Sequence, residues 1–147
     1  TYQTAIRGCG AVSGQVRLRA STIDHLSSAM VAVEIADDRP GYSTWVRRLP
    51  ENLAGLIRAA GRTRILGSAV LAQMGVAAGS LEAYVDVRGI LTPKNFMAGT
   101  LIIEEAGGVV TDDRGRPLPV WKDLTDGFPY VASANAAIHR EVLGAIQ

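Results

Sequence analysis

The chain has one cysteine, Cys9, and two histidines, His25 and His139. A single thiol excludes an internal disulfide, and no Cys/His cluster at zinc spacing exists. Aromatic residues are scarce, at 5%. No basic-then-apolar leader pattern opens the chain, and no apolar run reaches the ~20 residues that cross a bilayer. An excess of one charge is also missing. Fifteen basic residues against fourteen acidic ones leave +1, which gives no electrostatic footprint for nucleic acid or an anionic membrane. The expectations are a cytoplasmic setting, no nucleic-acid partner and no membrane partner.

What is present is ordinary core material. Apolar residues are 48% and charged residues 20% of 147 positions, enough for one domain to bury a core without staples. No repeat, low-complexity tract or linker divides it, so a single domain over 1–147 is expected. The opening residue is Thr1, within a strand-like stretch; this reads as a partial chain.

Residues 2–7 read as a strand, 8–14 as a glycine-rich turn, and the alternation of Val16, Leu18 and Ala20 as a second strand closing a hairpin. The apolar run 29–36 suits a strand covered on both faces. Leu49, Leu53, Leu56 and Ile57 give a helix over 43–60, with Pro50 able to split it. A short strand at 64–66 precedes a helix capped by Ser68 and stopped near Gly79. A strand follows at 81–87, then a helix from about Asn95 to Ala106, a strand at 109–111 and a turn at 112–115. A last strand at 130–132 leads to a helix capped by Asn135. Strands alternating with helices predict an α/β fold, a layered mixed sheet with flanking helices.

Gly8-Cys9-Gly10-Ala11-Val12-Ser13-Gly14 has the look of a dinucleotide loop, but a strand follows where a phosphate site needs a helix. A structural turn is the better reading. Stronger signals are spread along the chain. Gly67-Ser68-Ala69 opens a helix whose free N–H groups can face an anion or a hydroxyl-rich ligand. Asp86 and Arg88 share one face of a strand. Asn95 begins a helix with the small residues Ala98 and Gly99. Each has a plain structural alternative: a helix cap, or a surface ion pair.

Their order is more specific than any one of them. Gly67-Ser68-Ala69, Tyr84-Val85-Asp86-Val87-Arg88, Asn95-Phe96-Met97-Ala98-Gly99 and Glu104-Glu105-Ala106-Gly107-Gly108 succeed one another. Together they resemble the carboxyl-terminal half of the inositol monophosphatase family. The Asp-Val-Arg segment looks most like archaeal members acting on both inositol phosphates and fructose 1,6-bisphosphate. The resemblance implies a Mg²⁺-dependent phosphatase of sugar or inositol phosphates, with most metal carboxylates in an amino-terminal half not found in these residues. It implies that the backbone at Gly67, Ser68 and Ala69 approaches the ring and that Asp86 accepts its hydroxyls. Arg88 either meets a second phosphate or orients Asp86. Asn95 occupies the family's metal-binding aspartate position. With one neutral oxygen there and Lys94 beside it, metal affinity should fall.

Three readings follow: the substrate-side half of a working phosphatase, inactive alone; a binding or regulatory protein on the same fold; or an interaction domain without a small-molecule site. The expected partners are a small sugar or inositol phosphate, the missing half or another chain over an exposed apolar face, and further copies in a homo-oligomer. His25 and His139 read as surface residues and Trp45 and Trp121 as packing anchors. Arg47, Arg48, Arg58, Arg62 and Arg64, interrupted by Glu51, read as a solvated face.

Overall fold

The computed structural model describes residues 2–35 and 51–147, the side chains of Glu51 and Asn52 excepted. The expected break at 37–40, the start of the 43–60 helix, Pro50, Trp45, Arg47 and Arg48 lie outside the described residues. Two sheets and four α-helices form from the remainder.

Strands β1 (Gln3–Ile6), β2 (Gly10–Ser13) and β3 (Val16–Arg17) make an antiparallel three-stranded sheet. The predicted hairpin is therefore a meander. The stretch 8–14 is not one turn: positive φ is confined to Gly8, Gly10 and Gly14, and the residues from Gly10 to Ser13 pair as a strand. Sequence reading saw glycine density; strand pairing overrode it. The third strand stops at Arg17, because the Leu18 N–H makes a last bond to Ala11 and the chain then leaves the sheet.

The larger sheet contains β4 (Met30–Val33), β5 (Arg62–Arg64), β6 (Ala83–Leu91), β7 (Val109–Thr111) and β8 (Phe128–Ser133), in the order β5-β4-β6-β8-β7. β5, β4 and β6 run parallel, and β8 is antiparallel to both its neighbours. Helices α1 (Glu51–Ala59), α2 (Ala69–Ala77), α3 (Pro93–Glu105) and α4 (Ala136–Ala145) flank it.

Alternation along the strands builds a core on each face. Val31, Val33, Ala83, Val85 and Val131 meet Leu53, Leu56, Ile138 and Val142, from α1 and α4. On the opposite face Ala32, Tyr84, Tyr130 and Ala132 meet Ala72, Val76, Phe96 and Ile103, from α2 and α3. The small sheet joins this second core through Ala11 and Leu18. Glu105 at the end of α3 fastens it, accepting the Gly8 and Gly10 N–H groups at 2.7 Å each.

Element ends shift for identifiable reasons. β5 lies at 62–64 rather than 64–66, set by its register with Met30–Ala32. β6 continues past Val87 to Leu91 through a register irregularity. α3 starts at Pro93, a residue suited to a first helical position, so Asn95 is not the opening residue. His139 is buried, contrary to its surface reading, because it lies on the face of α4 turned towards β7 and β8.

Candidate functional site

The parallel arrangement of β4, β5 and β6 gives the sheet a carboxyl end, where ligands of α/β proteins commonly bind. β5 leads through residues 65–68 into α2. β6 leads through Thr92 into α3. Both helices therefore begin at that end, each with a positive dipole terminus; at α3 Pro93 carries no N–H and the Asn95 N–H donates to the Thr92 carbonyl at 2.8 Å.

Gly67 adopts φ +63 and has open space where a Cβ would stand. Ser68 is extended, and its hydroxyl accepts the Leu71 N–H at 3.3 Å. Ala69 is the first helical residue. The cap expected from sequence forms, and Gly67 supplies the left-handed turn that a side chain would strain.

Asp86 and Arg88 are in direct contact on β6. One Asp86 oxygen accepts the Arg88 Nε–H at 2.9 Å and the Arg88 backbone N–H at 3.1 Å; the other accepts Nη2–H at 2.7 Å. The aspartate side chain is 0% exposed and the arginine side chain 12%. A two-point contact fixes the guanidinium plane. Burial alone would ease the guanidinium's proton off, but the Asp86 hydrogen bond and charge, with the Glu34 charge, hold it more firmly than usual. Burial first, then the charges of Asp86 and Glu34, push the Tyr84 phenol far above its ordinary range.

Two residues of this region were not singled out from sequence. Glu34 follows β4 and is buried, and its N–H bonds Val85 on β6. A carboxylate inside the apolar run 29–36 was its only signal. Gln73 is the one polar residue in the apolar helix Ala-Val-Leu-Ala-Gln-Met-Gly-Val-Ala. Its amide donates to the Asn95 carbonyl at 3.0 Å. It tethers α2 to α3, and Gly99 gives the room: a Cβ there would lie 1.7 Å from the Gln73 oxygen.

Asn95 is exposed in the first turn of α3. Its side-chain oxygen accepts the Thr92 hydroxyl at 2.6 Å. Among the described residues, no group of three or more His, Cys, Asp or Glu could hold a metal ion. A neutral oxygen already engaged by Thr92 does not make up for this. Nor does any hydrogen bond among the described residues join Ser68 or Asn95 to Asp86. Topology thus gathers Gly67, Ser68, Ala69, Asp86, Arg88 and Asn95 at one end of the sheet. Among these six residues, side-chain hydrogen bonds join only Asp86 with Arg88.

The model of the inositol monophosphatase family matches residues 1–147. A fructose-1,6-bisphosphatase/inositol-1-monophosphatase of Thermococcus kodakarensis is 37% identical over 115 residues, 78% of this chain and 45% of that protein. The Nus factor SuhB of Escherichia coli is 33% identical over 142 residues, 95% of this chain and 51% of that protein. The crystal structure of the extragenic suppressor protein suhB from Bartonella henselae superposes with a TM-score of 0.78 at 27% identity, covering 97% of this chain and 51% of that one. The chain spans about half the length of the curated relatives it matches.

Proposed function

As the chain belongs to the inositol monophosphatase family, we propose that it forms the substrate side of a phosphatase acting on a sugar or inositol phosphate monoester. The observation that carries this reading is the carboxyl end of the parallel strands. Two helix amino-termini and the Asp86–Arg88 pair assemble there. Helix termini and a planar guanidinium favour phosphate. The open backbone at Gly67 allows close approach of a ring. In this reading the backbone of Gly67, Ser68 and Ala69 faces the substrate, and Asp86 keeps Arg88 in plane.

Magnesium chemistry needs several charged oxygens, and the described residues do not supply them. The carboxylates would come from a segment matching the part of the relatives that this chain does not span, or from another chain. The 147-residue chain alone is expected to release no phosphate. The test is phosphate release from inositol 1-phosphate and fructose 1,6-bisphosphate, with and without Mg²⁺, by the longest natural form of the protein. Metal-dependent release supports the reading; a folded protein silent on both substrates counts against it.

Asn95 favours a second reading, a binding or regulatory protein on the same fold, and the Escherichia coli relative is named a Nus factor. That reading expects ligand binding without turnover, and recovered metal affinity in Asn95→Asp. If the variant gains neither metal affinity nor activity, this position alone did not disable the site.

A further inference from the structure

Gln73 sits where stability alone would not place it. It is fully buried in an otherwise apolar helix, and its enclosed side-chain oxygen takes no hydrogen bond among the described residues. An amide buried with one oxygen unmet is costly, and an apolar side chain of similar size would fill the space without that cost. Gly99 repeats the pattern on α3. Glycine inside a helix is less favourable than alanine. Yet a Cβ at position 99 would lie 1.7 Å from the Gln73 oxygen and 2.7 Å from the carbon that bears it. Two core positions thus hold residues that packing and propensity both disfavour.

What the arrangement secures is one hydrogen bond, from the Gln73 amide to the Asn95 carbonyl at 3.0 Å. Asn95 does not need it, because its carbonyl lies inside α3 and has the Gly99 N–H as its ordinary helical partner. The effect of the bond is directional. Apolar contact between two helices is non-directional and tolerates sliding, whereas a bond to one carbonyl holds one register. That carbonyl belongs to the first turn of α3, and Gln73 lies on the helix that Ser68 caps. A buried polar contact kept at a cost in stability is a known means of fixing register.

We infer that Gln73 is a positioning residue of the phosphatase site. It touches no substrate, and acts by holding Asn95 and the opening turn of α3 at a set distance from Gly67, Ser68 and Ala69. This inference rests on the phosphatase reading and adds to it a task for a core side chain outside the substrate-facing set.

The test uses the longest natural form of the protein, with phosphate release from inositol 1-phosphate and fructose 1,6-bisphosphate measured in Mg²⁺ alongside thermal unfolding. Gln73→Leu removes the bond and keeps the space filled. It should melt no lower than the natural protein. Its kcat should fall about tenfold or more with KM held within about threefold, the split expected of misplaced reacting groups. Hydrogen exchange gives a readout besides activity. The amides of Met97, Ala98 and Gly99 pair with carbonyls of the first turn of α3, and they should exchange faster in the variant while those of α4 do not. A natural kcat in Gln73→Leu overturns the inference. So does a loss of activity matched by a lower melting temperature, which would make the role structural, and so does unchanged exchange at 97–99. Should Gln73→Leu fail to fold, Gln73→Met is judged by the same outcomes. A natural protein that releases no phosphate sinks the phosphatase reading by itself; exchange at 97–99 then decides on Gln73, faster in the variant supporting the positioning role and unchanged overturning it.

Discussion

At Asp86 both carboxylate oxygens are committed to Arg88, and neither side chain has much contact with water. Asp86→Ala removes that counter-charge from a guanidinium whose side chain is only 12% exposed. Breaking such a pair from one side costs about 3–5 kcal/mol. Urea unfolding should show the loss, and Asp86→Ala/Arg88→Met should recover part of it; a cost below about 1 kcal/mol would mean the pair is effectively solvated. His139 makes a pH prediction. The Thr111 hydroxyl donates to Asp112 O at 2.7 Å, so it accepts from His139 Nε2–H at 2.9 Å. Nδ1 then accepts the Ser133 hydroxyl at 3.0 Å. The bond set is complete for the neutral ring, and burial lowers the ring's proton affinity. With the folded pKa depressed, the unfolded chain binds the extra proton first. This contribution is therefore intact above the unfolded pKa of about 6.5 and is lost as pH falls below it, at no more than about 1.4 kcal/mol per pH unit. Unfolding free energies measured from pH 7.5 down to 5 should fall, and His139→Ala should flatten that part of the profile. Asp86 and Arg88 were legible in sequence because alternate strand positions share a face. His139 was not, since its burial depends on which face of α4 meets β7 and β8.

Local chemistry decided the elements that sequence placed well. Ser68 and Asn135 cap α2 and α4 through bonds made within three residues, so no tertiary knowledge was needed to find them. Strand ends depend on distant partners. β8 reaches back to Phe128 because β6 offers Leu91 as its mate, and the second strand emerged from a glycine-rich stretch because β1 was available to pair with it. Two substitutions separate local from tertiary effects. Ser68→Ala removes only a cap and should cost about 1 kcal/mol. Gly99→Ala is a better helix former by propensity, yet its methyl would strike Gln73. It should destabilise by about 1–3 kcal/mol through overpacking. A Gly99→Ala chain as stable as its parent in thermal melts would show that α2 and α3 can move apart freely, and that Gln73 is not a fixed tether between the two helix starts.

Across the whole molecule, the outstanding feature is apolar surface around α2. Val70 and Leu71 are 51% and 59% exposed. Ile65 and Leu66 are exposed beside them, and a cavity of about 470 Å³ runs along Leu66, Leu71 and Met74. A helix apolar on every side belongs in an interior. One face of α2 is inside, against Tyr84 and its neighbours; the other has no cover among the described residues. Relatives of this family are about twice the matched length, so a further layer of polypeptide is the cover we propose for that face. The 147-residue chain studied by itself should therefore self-associate as concentration rises, burying Leu71 against a neighbour. Leu71→Lys, at a half-exposed position, should leave the fold intact by circular dichroism and return the chain to monomer in sedimentation velocity. A natural chain that stays monomeric at all concentrations would mean the face tolerates water, and the case for a covering layer would lose its physical support. Self-association that Leu71→Lys does not reduce would move the contact elsewhere, with the exposed side chains of the small sheet, Ile6 and Val16, the next to change.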